Sequence, residues 1–141
     1  MRLATEWQAF MVARQEAARL NSQSDQLKAK SEQAEAASLA HLSVRRHPPY
    51  KVSDDITTAR GHALRAKAKA LRAEATLVET QGDALVSNAN LHFMEQALAA
   101  YGDVESCYAV DNYERLTVTI GGDVYVSDEI LLPLREDPTF R

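Results

Sequence analysis

The sequence predicts a mainly α protein with a small β module: a long antiparallel, coiled-coil-like helical hairpin followed by a three-stranded antiparallel β-meander. Three observations carry this. Residues 3 to 42 contain neither Pro nor Gly. From Ile56 to Tyr101, apolar or small residues recur every seven positions without a slip. After Gly102 the apolar period changes to two. The composition agrees, with 141 residues, 45% apolar, 23 of them Ala and only 6% of the chain aromatic. Small side chains suit long helices better than a thick globular core. The expected domains are a hairpin over 1–102, with helices at about 3–42 and 55–101 and a Pro-containing linker at 43–54, and a β module over 103–141.

The first helix rests on forty residues rich in Ala, Gln, Glu, Leu and Arg, all good helix formers. Phe10, Ala13, Ala17, Leu20, Ser24 and Leu27 step by three and four, and the rhythm continues through Ser31, Ala34 and Ser38. This is a heptad-like stripe of mostly small residues. Pro48 and Pro49 end it, and Ser53, Asp54 and Asp55 are suited to cap a new helix.

The second helix carries the clearest pattern. Ile56, Ala63, Ala70, Leu77, Ala84, Leu91 and Leu98 are seven apart, with Ala59, Ala66, Ala73, Thr80, Ser87, Met94 and Tyr101 three residues behind each. A second row, Leu64, Leu71, Val78 and Leu85, lies beside them. Gly61 and Gly82 each cost about 1 kcal/mol of helix propensity. The phase survives both, so one helix of roughly 65 to 70 Å is expected at 1.5 Å per residue. If the linker reverses the chain, facing residue numbers sum to about 98, which places large residues in matched layers. Leu42 then meets Ile56, Leu27 meets Leu71, Leu20 meets Leu77 and Val78, and Trp7 meets Leu91. Two helices cannot bury so wide a stripe, so self-association is expected.

In the β module Val104, Tyr108, Val110, Leu116, Val118, Ile120, Val124 and Val126 all have even numbers, with Thr117, Thr119 and Tyr125 opposite. Half-buried strands alternate in this way. Keeping that parity requires a three-residue loop at Gly121 to Asp123. The even face is expected to lie on Trp7, Phe10, Phe93, Met94 and Tyr101, since so small a sheet is not stable alone. In the tail, Ile130 to Leu134 is apolar enough to dock, and Glu136 to Arg141 is expected to fray.

Charge is unevenly spread along a chain of net charge -4. Residues 1 to 42 are balanced, whereas 43 to 73 carry Arg45, Arg46, Lys51, Arg60, Arg65, Lys67, Lys69 and Arg72 against only Asp54 and Asp55. Beyond residue 73 acids dominate. The bland reading of the basic block is a solvated helix face. The functional one is contact with an anionic partner: nucleic acid, protein or another copy. Against nucleic acid, only Tyr50 is available there to stack on bases.

Catalytic chemistry is poorly supported. His41, His47, His62 and His92 form no pair at metal-ligand spacing on one helix face. Cys107, the single cysteine, falls on the odd, outward side of its strand with no histidine in the same module. Asp111, Glu114, Asp123, Asp128 and Glu129 sit in or near turns without calcium-loop spacing, and no helix with a phosphate-binding start follows Gly121-Gly122. No cofactor or metal is expected. No run approaches the roughly 18 apolar residues of a membrane span, and the first residues lack a secretory apolar core. The expectation is therefore a non-enzymatic, homo-oligomeric structural or adaptor protein. It would lie in the cytoplasm, or inside or on a large assembly such as a virion or secretion machine. The seam would be Ile56, Ala63, Leu64, Ala70, Leu71 and Leu77 with Val78, Leu85, Leu91 and Leu98. The alternatives are a nucleic-acid-associated factor using the basic block, and a ligand binder or enzyme whose site forms only in the oligomer.

Overall fold

The computed structural model describes residues 2–113 and 115–127. Its elements are α1 (Ala4–Leu42), α2 (Val52–Tyr101), β1 (Ser106–Val110), β2 (Leu116–Ile120) and β3 (Asp123–Val126). The helical hairpin and the β-meander are therefore both present. The expected tail, Ile130 to Arg141, lies outside the described residues. Helix α2 starts slightly earlier than the sequence suggests. Lys51 caps it, its carbonyl accepting from the Asp54 and Asp55 amides. The Asp54 carboxylate in turn accepts from the Lys51 N–H at 3.0 Å, the reciprocal arm of a capping box.

The chain clusters into two compact units, one of Met1–Asn21 with Thr80–Arg141 and one of Ser22–Glu79. In the second unit the helices meet along small residues. The Ser24 hydroxyl donates to the Ala75 carbonyl at 2.9 Å, Ser31 to Ala68 at 2.8 Å and Ser38 to Gly61 at 2.8 Å. Each of those carbonyls lies within α2 and has a second lone pair free of the helix ladder. A hydroxyl one bond from Cβ reaches a neighbouring backbone only if the two helices approach closely. That is why Gly61, Ala68 and Ala75 are on the facing side. Each such bond contributes about 1 kcal/mol net.

Helix α1 behaves as its sequence predicts: Phe10, Ala17, Ser24, Ser31 and Ser38, seven apart, are all buried, as is Leu3 just before it. Helix α2 does not. Its buried row is Gly61, Ala68, Ala75 and Gly82, also seven apart, and facing numbers sum to 99, as in the pair Ser31 and Ala68. Three of the predicted contacts, those of Ile56, Leu77 and Leu91, are thereby corrected. Leu42 lies over Gly61, so that a Cβ there would come within 2.7 Å of it. Ile56 instead is 46% exposed. Likewise Leu77 and Leu91, expected against Leu20 and Trp7, are exposed. Close backbone approach selects for small residues, and a row of glycine and alanine satisfies it where leucines would hold the helices apart.

In the first unit Trp7, Phe10, Phe93 and Tyr125 form one aromatic cluster, with Phe93 5.3 Å from Trp7, 5.8 Å from Phe10 and 5.5 Å from Tyr125 between ring centroids. Leu116, Val118 and Ile120 complete the core. The sheet thus lies on the predicted aromatic residues. Its β1–β2 register pairs Tyr108 with Val118, which keeps the even residues of both strands on one side. In the loop between them, Asp111 accepts from the Tyr113 and Arg115 amides, both at 2.9 Å. The Arg115 amide above all, then its guanidinium and the Tyr113 amide, holds this carboxyl below its usual range.

Strand β3 departs from the expectation. Ile120 pairs with Asp123, so the loop is the two residues Gly121 and Gly122 rather than three. Both have positive φ, 54° and 90°, as a type I′ hairpin turn requires. A two-residue loop reverses the parity. Tyr125 turns inward and is fully buried, while Val124 and Val126 are 48% and 38% exposed. The Tyr125 ring gains the aromatic cluster, and its hydroxyl accepts from the Leu3 amide at 3.1 Å. Trp7 Nε1 donates to the Val126 carbonyl at 3.1 Å, tying α1 to the strand.

Candidate functional site

Where the row 61, 68, 75, 82 of α2 is buried, the row 56, 63, 70, 77, 84, 91, 98 is exposed at every position. The two rows lie on roughly opposite sides of the helix, because five residues advance 500°, that is 140°, at 3.6 residues per turn. Helix α2 is therefore apolar on two faces, one covered by α1 and one uncovered. Leu77, Leu91 and Leu98 stand 59%, 57% and 59% exposed. Of the predicted seam, Val78 is buried and Leu64 and Leu71 are half-buried, while Ile56, Ala63, Ala70, Leu77, Leu85, Leu91 and Leu98 are exposed. As a hairpin seam these seven are misplaced. As an uncovered apolar face they remain together.

The uncovered row differs between the two units. In the second it runs through Ile56, Ala59, Ala63, Ala66, Ala70, Ala73 and Leu77, flanked by exposed Arg60, Lys67 and Lys69. In the first it runs through exposed Ala84, Leu91 and Leu98, with half-buried Ser87 and Met94 between them and exposed Asp83 and Glu95 alongside. Leu98 and Met94 border a shallow depression whose far side is Val104 and Ile120.

Compared with known protein families, with curated proteins and with solved structures, the chain matches none. Its role must be read from its own residues.

The eight basic residues singled out in the sequence, Arg45, Arg46, Lys51, Arg60, Arg65, Lys67, Lys69 and Arg72, are all exposed. Arg46 pairs with Asp55 at 3.1 Å and Arg72 with Glu35 at 2.9 Å. Arg65, Lys69 and Arg72 are brought together around one depression floored by Ala68, with Glu35 on its rim. Cys107 is exposed, as expected of an odd position on β1. Among the described residues no group of three or more His, Cys, Asp or Glu is placed to hold a metal ion, and no helix is long and apolar enough to cross a membrane.

Two features were not foreseen from the sequence. Arg14 is buried at 5% exposure in the first unit. Tyr101 donates to Asp123 Oδ2 at 2.6 Å, and its oxygen lies 2.5 Å from the Tyr125 hydroxyl. Desolvation first, then the hydrogen bonds to Asp123 and Tyr125, pushes the Tyr101 phenol far above the ordinary tyrosine range. The folded state thus keeps a proton that the unfolded chain releases near pH 10. The stabilisation is complete below that pH and is lost as the pH rises above it. Urea melts from pH 8 to 11.5 are expected to weaken more steeply above pH 10 for the native chain than for Tyr101→Phe. Equal slopes would refute this.

Proposed function

We propose that this is a non-enzymatic assembly protein, an oligomeric structural or adaptor component. In this reading its helical hairpin self-associates and its β module docks a partner protein, a role suited to accessory parts of large assemblies such as virions or secretion machines. One observation carries the reading: α2 holds a second row of seven aliphatic and small side chains, exposed at every position. A surface helix needs one apolar stripe to join its own fold, and regularly spaced exposed leucines are the signature of a surface awaiting another protein. The sheet adds its own exposed apolar residues, Val110 at 56% and Val124 at 48%.

Light scattering at micromolar concentration is expected to read an oligomer. Leu98→Asp is expected to reduce the particle mass while leaving helicity unchanged, because Leu98 is 59% exposed within the chain. A strict monomer in the native chain would overturn the reading. A nucleic-acid role finds support only in the convergence of Arg65, Lys69 and Arg72. It requires a mobility shift of DNA or RNA at low ionic strength that fades as salt rises.

A further inference from the structure

The two halves of the uncovered α2 face complement each other in size and in charge. The half in the second unit is mostly alanine, with Ala59, Ala63, Ala66 and Ala70 exposed between basic flanks and exposed Ile56 and Leu77 at its two ends. The half in the first unit presents the larger Leu91 and Leu98 between acidic flanks, with Met94 between them half-buried against the core. A face whose one half is shallow and positive and whose other half is prominent and negative fits a reversed copy of itself. Antiparallel helices whose facing residue numbers sum to about 157 bring the first row of heptad positions against the intervening row, which is small from Ala59 through Ser87, as knobs-into-holes packing requires. Leu98 then meets Ala59, Met94 meets Ala63 and Leu91 meets Ala66. On the flank, Arg60 comes within a turn of Glu95. A two-fold axis repeats each of these contacts, so one geometry is satisfied twice. A parallel arrangement would instead set leucine on leucine and like charge on like charge.

We propose that the occupant of this face is α2 of a second copy of the chain, running antiparallel. The inference rests on the self-association reading above and adds partner, direction and register. It also explains why alanines alone occupy the face from Ala59 to Ala70 while leucines stand at Leu91 and Leu98. Neither helix propensity nor packing on α1 requires that division.

Crosslinking with a short bismaleimide tests it in a Cys107→Ser background. Two single variants are made, Ala66→Cys and Leu91→Cys. Within one helix these positions are about 37 Å apart at 1.5 Å per residue, so a crosslink between them must join two chains. An equimolar mixture is expected to give several-fold more covalent dimer than either variant alone. If instead each variant crosslinks to itself, the helices run parallel and the inference falls, while self-association stands. If nothing crosslinks and light scattering still reads an oligomer, another surface is used and the inference falls alone. If the Cys107→Ser chain is a monomer, the self-association reading fails with it.

Discussion

Phe93→Ala is expected to lower unfolding free energy by about 3–5 kcal/mol, the range for removing a large aromatic side chain from a packed core. Phe93 is fully buried and its ring touches the rings of Trp7, Phe10 and Tyr125. Its loss opens a void that none of these can fill, since Trp7 is tied to the Val126 carbonyl and Tyr125 to the Leu3 amide. The Trp7 fluorescence followed through a urea melt reads the effect directly, because the single tryptophan belongs to the cluster. A cost below about 1 kcal/mol would show that the sheet does not depend on this cluster, against the burial the structure assigns.

The second large effect concerns the helix seam. Ala75→Leu is expected to cost about 1–3 kcal/mol by overpacking. Ala75 has no exposed surface, and its carbonyl receives the Ser24 hydroxyl. A leucine there pushes the helices apart and breaks that bond. Two residues on, Leu77→Ala is expected to change the dilute chain by no more than about 0.5 kcal/mol, as for an ordinary surface site. Leu77 is 59% exposed. Its loss should show instead as a weaker dependence of thermal stability on protein concentration. If Leu77→Ala proved the more damaging in dilute solution, the seam would lie where the leucines are.

That pair of substitutions isolates what could and could not be read from the sequence. Helix boundaries were legible because Pro48, Pro49 and Gly102 punctuate otherwise unbroken helix formers. The covered face of α1 was legible because Phe10, Ala17 and Ser24 left no competing stripe. On α2 two stripes of identical period coexist, and the leucine row invites the assumption that larger apolar residues go inside. The signal that resolves them was present in Ser24, Ser31 and Ser38. Three buried serines at heptad spacing need carbonyl acceptors at close range, which only a glycine and alanine face allows. Strand β3 departs from the expected parity for a different reason. Alternation fixes which residues share a face but not which face turns inward, and that depends on whether the Gly121-Gly122 turn holds two residues or three. The candidate site itself was legible as a set of residues. Its exposure was not, because an apolar stripe carries no mark of whether α1 covers it.

The serine rungs have a consequence for folding accuracy. Shifted by one heptad, Ser31 would still find Gly61 and Ser24 would find Ala68, so the hydroxyls alone tolerate a misaligned hairpin. The ion pairs discriminate. Lys28 meets Glu79 and Glu35 meets Arg72, each at 2.9 Å. The shift that sets Ser31 on Gly61 puts Lys28 beside Arg72, leaving Glu35 only a new attraction to Arg65 in compensation. The opposite shift puts Glu35 beside Glu79 and strands Lys28 next to Val86. Partly solvated pairs of this kind add little to stability. Their value lies in denying both nearest wrong alignments the two attractions of the native one, each shift adding a like-charge contact instead, so that charges of small energetic weight arbitrate between similar ladders.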